Sequence, residues 1–266
     1  METDSKLTAA PAPDNAEPQV ASDDSRSFMA LFSRLWRDSV RDRGFWPTIA
    51  RATSALAETV LGSLPSRRRL RFDDLDYDFD HNVNTTRSNV GFATRFLTTF
   101  VESPYFASEP WLFEQIMQAL PVTFGDFTFI DLGSGKGRTL LMAAEHGFGK
   151  AIGVELIPEL HLAAEQNISK FAADRSPGTA MQCLCMNARD FQFPAGPLVI
   201  YLFNPFPQPV FATVLTNLHT SWQTDPRPVF VAYRYVELEN LLAASGWLEK
   251  IAGTEQWAIY KNRMIG

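Results

Sequence analysis

Between residues 127 and 260, short apolar runs alternate with stretches of helical periodicity, and that alternation narrows the choice of folds more than any other feature of the sequence. Strands are expected at 127–132, 151–156, 180–186, 198–203 and 229–233, because these runs are short, apolar and rich in β-branched or aromatic residues. Helices are expected between them, at about 137–146, 158–173, 209–222 and up to 244. A chain that alternates in this way forms a doubly wound, mostly parallel sheet with right-handed crossovers. Two final runs, 247–251 and 256–260, flank Gly253 and predict an antiparallel hairpin at one side of that sheet. Sheets of this kind bind ligands at the carboxyl ends of their strands, so functional residues should be sought there.

The chain divides by composition. Residues 1–26 are rich in Ala, Pro, Asp and Ser and carry six acids against two bases, which predicts a disordered tail. Residues 27–84 form a helical extension and a charged connector. Phe28, Leu31, Phe32, Leu35 and Trp36 recur at helical spacing, a break follows at 44–47, and a second helix is expected over 48–61. The third region, 85–266, is the alternating domain, opened by a helix at 111–120 that stops before Pro121. Residues 66–126 are expected to cover the substrate pocket. Residues 27–71 hold nine bases against three acids, although the whole chain carries a net charge of −6. An acidic main body argues against a nucleic-acid partner. The basic, aromatic segment 28–61 suits docking on protein first and peripheral contact with an anionic membrane second. No stretch is apolar for the ~18 residues of a membrane span.

Two features invite a metal and fail on spacing. The acids Asp73, Asp74, Asp76, Asp78 and Asp80 alternate like a calcium loop, but Phe79 or His81 stands where glycine is required and Thr85 or Arg87 where glutamate is. They read as part of a solvated connector. Cys183 and Cys185 lack the two further soft ligands that zinc would need, so both are expected to be free, buried thiols and no metal site is expected. Reduced thiols and the absence of a signal peptide point to a cytoplasmic protein.

The chemistry lies at the strand ends. The first strand runs into Asp131-Leu-Gly133-Ser134-Gly135-Lys136-Gly137-Arg138, directly before a helix. Three alternate glycines permit positive φ and close approach of a ligand to the main chain. A phosphate-binding loop is excluded, because Ile130 stands at its first glycine and Gly137 at its Ser/Thr. A nicotinamide fingerprint fails at Arg138, where its third glycine belongs. The pattern Asp-x-Gly-x-Gly-x-Gly instead resembles the first motif of the class I S-adenosylmethionine-dependent methyltransferases. The resemblance continues over residues 85–260, through Gly153-Val-Glu155 at the second strand end, Asn187-Ala188-Arg-Asp at the third and Phe203-Asn204-Pro205-Phe206 at the fourth.

That resemblance implies S-adenosylmethionine as cofactor, held by Asp131, Gly133, Ser134, Gly135, Gly137, Glu155, Asn187 and Ala188. Glu155 would accept from both ribose hydroxyls, and Asn187 would accept the adenine amino group where the family often has Asp. Asn204, Pro205 and Phe206 look like a shortened form of the element by which amino methyltransferases align a nitrogen, so they are the catalytic candidates. Pro207 stands one place later than the second proline of that element. Tyr233 and Arg234 are secondary candidates for the substrate pocket. Lys136 and Arg138 are expected to project from the cofactor loop, with the bonding of helix or strand ends as the alternative for Arg138. The four histidines show no recognisable partner in the sequence and offer no general base. The reading is a methyltransferase acting on an amine or amide nitrogen, its acceptor a small molecule or protein side chain. The alternative is a non-catalytic cofactor-binding protein that recruits partners through its N-terminal helices.

Overall fold

The computed structural model describes residues 21–62, 75–86, 90–102, 105–175, 178–203, 206–235 and 237–263. Seven strands form one sheet: β1 (Thr128–Leu132), β2 (Lys150–Glu155), β3 (Ala180–Cys185), β4 (Leu198–Phe203), β5 (Val229–Arg234), β6 (Leu248–Gly253) and β7 (Trp257–Asn262). Their order is β3-β2-β1-β4-β5-β7-β6. The first five strands pair in parallel, and β7 pairs antiparallel with both β5 and β6. This is the expected Rossmann-like, doubly wound sheet with an antiparallel C-terminal hairpin. The hairpin enters with its second strand inward, so β6 lies at the edge.

The central strands β1, β4 and β5 are largely apolar because both sides of the sheet are covered there, while the edge strand β3 is partly exposed. One side packs Phe129, Val199, Tyr201 and Phe230 against α5 (Pro110–Ala119), α6 (Arg138–Glu145) and α7 (Pro158–Arg175). The other packs Ile130, Leu132, Ile200, Leu202 and Val231 against α8 (Gln208–Thr224) and Leu242 of α9 (Glu239–Ala243). Successive residues of β4 fall alternately into the two clusters, the period of two that a pleated strand requires. Winding reverses between β1 and β4, which opens a crevice at their carboxyl ends.

Four further helices precede the sheet: α1 (Ala21–Arg43), α2 (Phe45–Gly62), α3 (Leu75–Asp80) and α4 (Phe92–Phe100). Residues 1–20 of the expected tail lie outside the described residues, while 21–26 form the first turns of α1. The break between the first two helices is a single residue, Gly44, at φ 91°. Pro47 sits in the first turn of α2, where its missing N–H leaves no intrahelical bond unmade, so this helix starts three residues before the expected 48. The apolar face of α1 is used internally. Phe28, Leu31, Phe32, Leu35 and Trp36 join Ala55 of α2, Leu97 and Phe100 of α4, and Ile157 and Leu160 beyond β2 in a third cluster. That face therefore docks on protein, and it is not the one a membrane could meet. No helix among the described residues is long and apolar enough to cross a membrane.

Candidate cofactor site

The turn after β1 has the geometry its glycines allow. Gly133, Gly135 and Gly137 hold φ values of 92°, 54° and 81°, in the region that side chains rarely enter. The N–H groups of Gly133 and Ser134 both donate to the Val154 carbonyl, at 2.8 and 3.1 Å, which ties the turn to β2. Two of the glycines also make room for protein. A Cβ on Gly135 would lie 2.3 Å from the ring of Tyr105, and one on Gly137 would lie 3.1 Å from Ala164 of α7. The turn is thus packed from outside as well as shaped from within.

Two buried carboxylates face this turn. Glu155 ends β2, where Oε2 accepts the Gly135 N–H and Oε1 the Ile157 N–H, each at 2.8 Å. Asp131 accepts the hydroxyl of Thr139 from the first turns of α6. Burial pushes the Asp131 carboxyl up to about 7, partly opposed by the Thr139 hydroxyl and reinforced by the charge of Glu155. Burial also raises Glu155 above the usual carboxylate range, while the backbone donors pull it down. Each oxygen with one donor keeps a second lone pair. Two partly desolvated carboxylates side by side make a site that favours a cation with hydroxyl donors and disfavours an anion. A sulfonium nucleoside has that charge and those hydroxyls, so the donor set fits S-adenosylmethionine and opposes a phosphate group.

At the end of β3, Asn187 is nearly buried and its Oδ1 caps the following turn by accepting the Arg189 N–H at 3.0 Å. The same oxygen can accept once more. Ala188 is buried beside it. Asp131, Glu155, Asn187 and the glycines are therefore gathered at the carboxyl ends of three adjacent strands, as their order along the chain predicts. Asn204 and Pro205 lie outside the described residues. Phe206 is half-buried against the second apolar cluster, so its ring serves core packing on at least one side.

Several expectations are corrected. Arg138 does not project from the turn: it is 2% exposed. Its Nε donates to Thr85 Oγ1 at 2.6 Å, its Nη1 to the Ser108 carbonyl at 3.3 Å, and Asp78 lies 3.4 Å from Nη2. Lys136 is likewise buried. The charged connector is not solvated throughout, because Asp78 in α3 is buried and accepts the N–H groups of Thr85 and Thr86. The residues of that connector before 75 lie outside the described residues. Cys183 is buried, but Cys185, at the end of the edge strand β3, is exposed. Three histidines have carboxylate partners: His81 with Glu145, His146 with Glu114 and His161 with Glu165. The partners of Gly135 and Asp131, Tyr105 and Thr139, were not singled out from the sequence. Thr139 stands eight residues past Asp131, as the second residue of α6, and that spacing was the available signal. Tyr105 had none.

The sheet order and its connections define a Rossmann-like fold, with two buried carboxylates beside the glycine turn at its strand ends. No protein-family model and no curated protein matches the sequence. Solved structures do match. One is a precorrin-6y C5,15-methyltransferase from Geobacter metallireducens, 13% identical over 59% of this chain and 90% of that one, with a TM-score of 0.44. A second is a TehB-like SAM-dependent methyltransferase from Corynebacterium glutamicum, 14% identical over 57% and 87%, TM-score 0.40. A third is a ribosomal protein L11 methylase from Lactobacillus delbrueckii, 18% identical over 62% and 77%, TM-score 0.38. Similarity at this level carries neither activity nor substrate from one chain to another.

Proposed function

We propose that this protein is an S-adenosylmethionine-dependent methyltransferase acting on an amine or amide nitrogen. The observation that carries the reading is the pairing of a three-glycine turn with two buried carboxylates, Asp131 and Glu155, one strand apart. Glu155 holds the ribose hydroxyls with the lone pairs its backbone donors leave. Asp131 sets a negative potential for the cationic methionine portion, and the turn from Gly133 through Ser134 and Gly135 to Gly137 lets main chain run beside it. Asn187 and Ala188 border the adenine. When bound, the cofactor supplies an electrophilic methyl group, whose bond to sulfur breaks as a bond to the acceptor nitrogen forms.

The protein's part in that displacement is placement, since holding the nucleophile about 3–3.5 Å from the carbon supplies much of the rate. Asn204 and Pro205 accept the nitrogen's hydrogens and aim its lone pair, with Phe206 beside them. The acceptor is a small molecule or a protein side chain. Isothermal calorimetry of the purified chain with S-adenosylmethionine, S-adenosylhomocysteine and NAD separates cofactor classes. Saturable binding of the first two only, followed by transfer of labelled methyl to a metabolite or lysate panel, is expected. Affinity for NAD alone would end the reading.

A further inference from the structure

Among the described residues, α2 is packed from one side only. Its Thr48, Ala55 and Thr59 are buried, Ala55 in the cluster shared with α1 and α4. On the other side Trp46, Ala50, Thr53, Ala57 and Val60 are all exposed. They follow one another at intervals of four and three residues, the spacing of a seam along one face of a helix. Trp46 is 76% exposed, and its ring meets that of Phe45 edge to face at 5.4 Å. Leu56 and Leu61 are exposed on either flank. Beside Leu56, Phe92 and Phe96 of α4 complete a groove of about 360 Å³ with Ala52 and Thr53.

Charge narrows what can cover this face. The charged residues of α2 are Arg51 and Glu58, which pair at 3.5 Å. Arg51 is turned inward, 18% exposed, and donates to the Thr99 and Phe100 carbonyls. A helix that lies on an anionic membrane flanks its apolar stripe with exposed Lys or Arg, and α2 presents none. A second copy of the chain has the opposite requirement. A two-fold contact sets each charge against its like, so it favours a neutral face.

The stripe is also complementary to itself. Trp46 and Val60 stand seven residues to either side of Thr53, with Ala50 and Ala57 between. Bulk therefore sits at both ends and small side chains at the middle, where two helices can approach to the ~8–10 Å of close packing. Turned end for end about Thr53, Trp46 of one copy meets Val60 of the partner subunit. On a scale of roughly 150–250 Å² for a large aromatic side chain, the exposed parts of Phe45, Trp46, Leu56, Val60, Leu61 and Phe92 come to roughly 650 Å². That exceeds the largest apolar patch of a typical monomer, about 300–600 Å², and approaches the ~800 Å² per partner of a standard interface.

We infer that the outer face of α2 is a homodimer interface, in which α2 packs antiparallel on its counterpart in a second copy about a two-fold axis at Thr53. The α4 groove forms its margin. The contact involves none of the strand-end residues and stands independently of the methyltransferase reading.

The test is sedimentation velocity of the full chain over a dilution series, with and without vesicles of mixed phosphatidylserine and phosphatidylcholine. A dimer that dissociates at micromolar concentration is expected, since the interface is at the small end of the standard range. Thr53→Glu, at an exposed position, brings two like charges together on the axis and should raise the dimer Kd about 100-fold or more. Its circular dichroism should match the native chain. In a Cys185→Ser background, Thr53→Cys should give a disulfide-linked dimer under mild oxidation, while Thr216→Cys, exposed on α8, should not. That cross-link reports the contact even if the glutamate variant fails to fold. A monomer at every concentration, a dimer that Thr53→Glu leaves intact, or equal cross-linking at the two cysteine positions would overturn the assignment. So would a monomer that sediments with the vesicles, which would give the face to lipid.

Discussion

Asp131 and Glu155 concentrate the energetics of the site, because each is a charge held away from water. The raised Asp131 pKa has a consequence for stability. Its folded value of about 7 lies above the unfolded value of about 4, so the folded state binds the proton more tightly. The contribution is therefore full below pH 4 and is lost as pH rises toward 7. Thermal melts at pH 5 and pH 8 should show Asp131→Asn gaining relative to the native chain at the higher pH, since the amide cannot ionise. Equal differences at both values would contradict the shift. Ligand affinity should run the opposite way, rising between pH 6 and 8 as the carboxylate ionises to meet a cation, with proton uptake or release read by calorimetry in two buffers. At the fourth strand end, Asn204→Ala should lower kcat by about 10²-fold or more and leave S-adenosylmethionine affinity within a factor of about two, as expected for a group that only positions the nucleophile. Equal loss of both would assign Asn204 to the turn alone. The type of each strand-end residue was legible from motif spacing. Its ionisation was not, since that depends on how deeply neighbouring elements bury it.

Among the elements, α3 and α6 are joined by the buried Arg138. It reaches Asp78, Thr85 and Ser108, and its guanidinium carbon lies 5.0 Å from the centroid of the Tyr77 ring. Asp78 sits below the usual carboxylate range because the Thr85 and Thr86 donors and the Arg138 charge outweigh its burial. Removing the cation alone leaves that carboxylate desolvated without its ion pair. Arg138→Met should therefore cost about 3–5 kcal/mol in denaturant unfolding. A loss under about 1 kcal/mol, the range of an exposed pair, would show the network to be solvated. Elsewhere α1 is pinned to the turn after β3 by Arg34 with Asp190 and by Arg189 with Asp42. These pairs lay α1 against the turn that carries Asn187 and Ala188. The Arg34 pair is half exposed and contributes little, whereas Arg189 is only 10% exposed. Asp42→Asn with Asp190→Asn should speed amide exchange in α1 with little change in α8. Unchanged exchange would mean that the apolar face alone holds the helix. The periodicity of α1 announced an apolar face, but its partners stand up to about 150 residues away, and no local pattern records such distances.

For the molecule as a whole, the third apolar cluster decides whether the helical extension is an appendage or part of the fold. Phe100 is 3% exposed and packs with Phe32, Trp36 and Phe96. The same cluster includes Ile157 and Leu160, directly after β2. Phe100→Ala should destabilise by about 3–5 kcal/mol, the usual range for emptying an aromatic core position. Melting should remain a single transition, with S-adenosylhomocysteine raising its midpoint. A separate early transition would mark residues 27–84 as an independent unit. Much of this architecture is written locally. Strand order along the chain, alternation of apolar residues with the pleat, the positive-φ glycines of the turn after β1 and the proline just past the end of α5 act over a few residues, so the sequence alone determined a doubly wound sheet and its strand ends. Only the folded chain decided the rest. It buried Arg138 and Lys136, set Tyr105 on Gly135 and laid α1 over the third strand end, because each depends on which distant surfaces exclude water from one another.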